Sequence, residues 1–295
     1  MRRRLGLLLV LAAAAEAIAA AGAEPARAHG PFHQQIAAAN ERVAGQPGNP
    51  DALIARGELY RQHGDYDAAL ADFGEAARLM PASDAADLLR GRTLVDAGRA
   101  YQALIYLDRY VARHPDGAAA FLERARAHQA VVAPVAAADD YQRALDLTPK
   151  PSPDDYLRRM RAQLAAGREE AALGGLDEGI ARLGPLVSLE LPAIDLELAA
   201  RRWDDALRRL ERVAAQSPRQ ESFLQRRGEI LLQAGRRGEA RRTLRAALAA
   251  IAALPPHLRN TAATAELETK VRRQLRPASG AARQPAGGSS RSDGR

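Results

Sequence analysis

The sequence predicts an all-α chain built from about six helical hairpins, and three phased sets of residues predict it. Pro47, Pro81, Pro115 and Pro149 stand 34 residues apart. Proline cannot continue a helix, so evenly spaced prolines mark evenly spaced helix ends. Ala69, Ala103, Ala137, Ala172, Ala206 and Ala240 repeat at 34 or 35 residues, and Gly57/Gly91 and Gly64/Gly98 each repeat at 34. Self-similarity at this period is the mark of a repeat array. Alanine and leucine dominate and aromatics are scarce, which suits closely packed helices better than a bulky β core.

The first repeat runs from Pro50 to Pro81 and shows the internal order of all six. Leu53, Gly57 and Tyr60 share one face of a first helix at the i, i+4, i+7 spacing. Gly64-Asp65 then breaks the chain, and Ala69, Phe73 and Ala76 form the matching face of a second helix. Small residues at Gly57 and Ala69 let the two backbones approach, and Tyr60 and Phe73 fill the space beside them. Neither helix buries its face alone, so each hairpin depends on stacking. Recurring turns also rule out a long coiled coil, whose heptads they would interrupt.

The pattern recurs with variations. The second repeat keeps Gly91, Leu94, Gly98, Ala103, Leu107 and Pro115. The third keeps Phe121, Ala125, Ala137, Tyr141 and Ala144, with Val132-Ala133-Pro134 in place of a glycine turn. The fourth is looser, with Tyr156, Gly167, Ala172 and Leu176. The fifth has Trp203, Ala206 and Leu210, but Ile194 stands where a small residue is expected. The sixth has Leu224, Gly228, Leu231, Gly235, Ala240, Leu244 and Ala247. These signature positions resemble those of the tetratricopeptide repeat family. The resemblance implies a right-handed α-α superhelical solenoid with repeats at 50–83, 84–117, 118–152, 153–186, 187–220 and 221–254. A half-repeat over 29–49, with a helix from Phe32 to Ala44, and a capping helix within 255–275, from about Thr261 to Leu275, are expected to close the two ends.

The remaining segments bear on location. Arg2–Arg4 followed by the apolar run Leu5–Ala15 and small-residue cleavage patterns reads as a signal peptide over 1–28, cut after Ala28. The apolar run is too short to span a bilayer, so no stable membrane anchor is expected after cleavage. A periplasmic or secreted protein of bacterial type follows; a cytoplasmic adaptor with a spurious signal is the alternative. Residues 276–295 are rich in Pro, Gly and Ser and are expected to be disordered. The net charge of +7 divides into +2 in residues 1–28, +3 from Arg276 onward and +2 between them, so it is not read as a nucleic-acid footprint. The absence of cysteine excludes disulfides, Cys-ligated zinc and lipid attachment through an N-terminal Cys.

In the resembled family the first helix of each hairpin lines a concave groove. Two rows of first-helix residues then become candidates for partner binding. The fifth position of each repeat reads Ile54, Leu88, Leu122, Leu157, Leu191 and Gln225, and the ninth reads Glu58, Arg92, Arg126, Arg161, Asp195 and Glu229. An aliphatic row beside three arginines suits a peptide or protein carrying apolar anchors and a carboxylate. The alternative is structural: the aliphatic row packs on neighbouring hairpins, and the arginines pair with Glu123 or Asp96. At the seventh position Arg56, Arg90, Arg124, Arg159 and Arg227 are assigned to the scaffold, with Asp72 and Asp140 as local carboxylate partners. The carboxylate clamp of chaperone-binding members needs Lys and Asn on successive first helices; Ile54, Glu58, Leu89, Ala119 and Glu123 stand there instead.

No phosphate loop, serine elbow, HExxH or paired carboxylate motif occurs, so no cofactor and no catalytic residue is expected. A freed amine and imidazole at His29, with His33, form one minor candidate for copper. The expected function is a non-catalytic scaffold for a protein or peptide partner in the cell envelope. A ligand- or metal-binding module accessory to an envelope enzyme is the alternative.

Overall fold

The computed structural model describes residues 29–276, whose regular elements are all helices. The expected signal segment, its cleavage point and the tail from Pro277 lie outside the described residues. The chain divides into two compact units, with the boundary between Ala133 and Pro134. The first unit contains α1 (His29–Gly45), α2 (Pro50–His63), α3 (Tyr66–Leu79), α4 (Ala85–Asp96), α5 (Ala100–Arg113) and α6 (Ala118–Ala130). The second contains α7 (Pro134–Asp146), α8 (Pro153–Ala165), α9 (Glu169–Leu183), α10 (Val187–Ala199) and α11 (Trp203–Ala214). It continues with α12 (Glu221–Gln233), α13 (Arg237–Ala252), the short α14 (Pro256–Arg259) and α15 (Ala262–Leu275). Within each unit helices pack on their sequence neighbours, and first helices of successive hairpins also touch, as α4 does α6 and α8 does α10. That is the nearest-neighbour organisation of a repeat array.

Local signals set the helix starts. Asn49 caps α2, accepting from the N–H groups of Asp51 and Ala52, and Pro50 takes the first helical position. At α8 the Asp155 carboxylate accepts from both the N–H and the hydroxyl of Ser152. Thr261 caps α15 by accepting from the Thr264 N–H. The short α14 ahead of that cap is an element the periodicity did not predict.

Six hairpin turns share one geometry. Gly64, Gly98, Val132, Gly167, Arg201 and Gly235 all have left-handed backbone, with φ of 96°, 73°, 59°, 71°, 58° and 76°. In each, the N–H of the next residue reaches back to a carbonyl of the preceding helix, as from Asp65 to Tyr60 at 2.8 Å and from Ala133 to His128 at 2.8 Å. This is the long hydrogen bond of the Schellman motif. Val132 and Arg201 therefore take a turn that four of the six repeats give to glycine, and the loop at Val132 replaces the residue without replacing the geometry.

Close approach of the helices follows the small residues. A Cβ at Gly57 would lie 2.6 Å from Phe73, at Gly91 2.5 Å from Leu107, and at Gly228 2.5 Å from Leu244. In the fourth hairpin the small residues move to the second helix. Met160 occupies the first-helix place, while Gly175 and Gly179 on α9 make room for Arg159 and Tyr156 of α8. The loose match of that repeat thus reflects an exchange of large and small residues between the two helices. In the fifth, Ile194 packs with Ala206 and Leu210 in one buried cluster.

Candidate functional site

The first helices of the first unit present a ladder of alternating charge. Arg61 pairs with Glu58 at 3.0 Å and with Asp96 at 2.6 Å. Arg126 pairs with Asp96 at 2.7 Å and with Glu123, and Arg92 reaches Glu123 at 3.4 Å. Burial pushes the Asp96 carboxyl up, but hydrogen bonds from Arg126 and Arg61 outweigh it and hold it below the usual carboxylate range. Arg92 and Arg126 thus stand in one compensated network with Glu123 and Asp96, the acids of the structural alternative, rather than in a free basic stripe. The aliphatic row is half-buried here: Ile54, Leu88 and Leu122 are each partly covered, and Leu88 packs against the cluster of Leu94, Ala103 and Leu107.

The second unit is different. Arg161 on α8 is exposed and makes no hydrogen bond or ion pair among the described residues. Leu157, one turn before it, packs against the Tyr156–Leu176 cluster. On α10, Leu191 is 44% exposed, with Val187 at 43% and Leu186 at 38% beside it. Apolar side chains left in water in one short stretch of a first helix are informative; the first unit exposes Tyr101 and Ile105 more fully, at 76% and 61%, but on the second helix α5. Beyond them Arg226 pairs with Asp195 at 2.9 Å, and Lys270 of α15 reaches Glu229 at 3.3 Å.

The seventh-position arginines act mainly as braces. Arg56 forms a two-pronged pair with Asp72 at 2.8 and 2.6 Å. Arg90 stacks on Tyr106, 4.8 Å from the ring centre, and Arg124 pairs with Asp108 at 3.0 Å. Arg159, fully buried, donates to the Gly175 carbonyl at 2.8 Å and to Gln142 at 2.7 Å. Arg227 alone of the five is exposed with neither hydrogen bond nor ion pair among the described residues.

Sequence reasoning missed one polar hub. In the fifth hairpin Ala193 fills the seventh position, and the arginine stands across from it, at Arg209 of α11. Arg209 binds Glu197 at 2.7 Å, Glu190 at 3.2 Å and Asp177 at 2.5 Å, while Arg212 also holds Glu190. Glu190 and Glu197 are almost fully buried. Burial works against the Arg209 charge, but hydrogen bonds to Glu197 and Asp177 outweigh it and raise its pKa above the ordinary value. Burial dominates at Glu197 and pushes its carboxyl up against the Arg209 hydrogen bond, and its Oε2 has no hydrogen-bond partner among the described residues. The exchange of Arg and a small residue between the seventh and twenty-third positions is visible in the sequence and marks this hub.

His33 lies against His63, with ring centres 5.1 Å apart, and Asp65 holds the Nδ1 of His63 at 2.8 Å. The His29 side chain lies outside the described residues. No group of three or more metal-ligating side chains occurs among the described residues, and no described helix is long and apolar enough to cross a membrane.

Stacked hairpins whose faces carry ladders of paired and unpaired side chains define a helical-repeat protein. The chain belongs to the tetratricopeptide repeat family: models described as tetratricopeptide repeat match residues 50–83, 88–152 and 191–255. No curated protein sequence matches it. Among solved structures it is similar to a tetratricopeptide repeat protein from Parabacteroides merdae, at 16% identity and TM-score 0.48, covering 82% of this chain and 92% of that one. It is also similar to MamA, residues 41 to the end, from Desulfovibrio magneticus RS-1, at 20% identity and TM-score 0.46, covering 51% and 84%. A third is a thermophilic TPR protein from Thermus thermophilus, at 22% identity and TM-score 0.40, covering 62% and 100%. Proteins of this family are in general non-catalytic scaffolds that bind other proteins.

Proposed function

We propose that the chain is an exported, non-catalytic scaffold that binds a protein or peptide partner through the first helices of its hairpins. The observation that carries this reading is in the second unit. Leu186, Val187 and Leu191 are exposed on and beside α10, and Arg161 on α8 is an exposed cation without a counter-ion among the described residues. Apolar anchors and one unneutralised guanidinium suit a partner segment with apolar side chains and a carboxylate. The row of Ile54, Leu88 and Leu122 with Arg92 and Arg126 supplies a second, charge-balanced face in the first unit. There each arginine already has an acid, so it contributes register more than affinity.

Export rests on the composition of residues 1–28, and fractionation with and without them tests it. For the binding face, Arg161→Ala with Leu191→Asp is expected to lose the partner recovered by the unaltered chain from its envelope fraction, at unchanged helicity. Equal recovery of that partner by the altered chain contradicts the assignment.

A further inference from the structure

A cavity of about 240 Å³ lies between α11 and α12 and is lined by neither Arg161 nor Leu186, Val187 or Leu191 of the binding face proposed above. Leu207, Leu210, Phe223 and Leu224 supply its large apolar side chains, and Arg227 stands on its lining. Leu207, Leu210 and Phe223 belong to one apolar cluster with Trp203. Arg227 is the seventh-position arginine without a brace. Its counterpart across the hairpin is Thr243, where the first hairpin has Asp72 and the second Tyr106. The guanidinium is left exposed, with no hydrogen bond or ion pair among the described residues, and only adds to the field that holds the Glu239 carboxyl below its usual range, in which Arg236 is the main cause. Glu211 also lines the cavity, on its exposed side, and is not paired with Arg227. The N-terminus of α12, which opens at Glu221, adds a partial positive charge close to the same wall.

We propose that this cavity binds an apolar carboxylate, an acyl or aryl chain seated on Leu207, Leu210 and Phe223 with its carboxylate on Arg227. The volume is below the roughly 300–1,000 Å³ of pockets that enclose drug-sized ligands, so it holds one side-chain-sized group. Such chemistry comes from a free organic acid or from the C-terminal apolar residue of a peptide. A charge-assisted pair to a lone guanidinium gives the selectivity for the acid over a neutral isostere.

Trp203 is the chain's one tryptophan and packs in the same cluster, so its fluorescence reports occupancy. The full chain is titrated with 4-phenylbutyrate, with 4-phenylbutanol, and with a short peptide ending in Phe as free acid or as amide. The expected result is saturable change with the acids, about tenfold weaker with the alcohol and the amide. Arg227→Gln weakens acid binding about tenfold and leaves the alcohol unchanged. Ala214→Leu, which fills the cavity from α11, abolishes both, and Gly174→Ala, exposed on α9, changes neither. Tighter binding of the peptide acid than of phenylbutyrate assigns a peptide terminus; the reverse assigns a small acid. Equal affinity for acid and alcohol, no effect of Arg227→Gln at unchanged helicity, or no saturation up to about 1 mM overturns the proposal.

Discussion

Gly91→Ala separates tertiary packing from helix propensity. Gly91 lies inside α4, where alanine is favoured over glycine by about 0.8–1 kcal/mol. Its added Cβ, however, would sit 2.5 Å from Leu107 Cγ and 2.6 Å from Cδ2, and Leu107 is wholly buried on α5. Neither helix can yield without opening the cluster of Leu94, Ala103 and Leu107. Overpacking of this kind costs about 1–3 kcal/mol, and a contact below 3 Å belongs at the upper end. The two terms leave a net loss of about 1–2 kcal/mol. Gly174→Ala is the control: Gly174 lies inside α9, exposed, with open space where the Cβ would go. The same substitution there is expected to stabilise by about 1 kcal/mol. Urea unfolding and amide exchange of α4 and α9 read both. The pair Gly91→Ala with Leu107→Ala is expected to cost less than the two single losses combined, because the new methyl enters the space that Leu107 vacates. A stabilised Gly91→Ala, matching Gly174→Ala, would refute close approach of α4 and α5 at this point.

Three further outcomes follow from the geometry. Val132→Gly is expected to stabilise the chain by about 0.5–1 kcal/mol, since left-handed backbone costs an L-residue about 1–2 kcal/mol and glycine loses part of that gain in chain entropy; a lower midpoint in urea counts against it. Asp96→Asn should remove stability at neutral pH and flatten the acid limb. The depressed Asp96 carboxyl contributes above its unfolded pKa of about 3.9 and loses that contribution as pH falls through the lower folded value; parallel acid limbs for the two proteins contradict the Arg61–Asp96–Arg126 ladder. Arg209→Ala strands Glu190 and Glu197 without their main cation and is expected to cost about 3–5 kcal/mol, partly recovered by adding Glu197→Gln; a loss under about 1 kcal/mol removes the hub from the scaffold.

The fold was legible because a hairpin repeats its constraints. Proline, glycine and alanine recur where a helix must stop, turn or let a neighbour in, and the corresponding ends and contacts lie at Gly57, Ala69 and Gly64 and at their counterparts. The turns at Val132 and Arg201 were harder to read, because neither residue type favours the left-handed backbone that six equivalent hydrogen bonds impose on it. The fourth repeat looked irregular because small and large residues had traded helices; only Gly175 and Gly179 taken with Tyr156 and Arg159 show that the packing is kept. The charged rows were half legible. A repeat position tells which residues share a phase, and so put Arg92 and Arg126 on one face. Asp96 and Glu123, four and three residues off phase, were legible only as the pairing partners of the alternative reading, and the distances decide for that alternative. Arg161 and Arg227 stand apart, since no acid among the described residues pairs with them.

Photo-crosslinking in the living source cell tests most directly whether the first-helix face holds a protein partner. A photoreactive residue is placed at Leu191 on α10, and in a parallel chain at Gly174, exposed on the second helix α9. The account predicts one discrete protein adduct from position 191, lost on adding Arg161→Ala, and none from position 174. An adduct from position 174 with none from position 191 would contradict it.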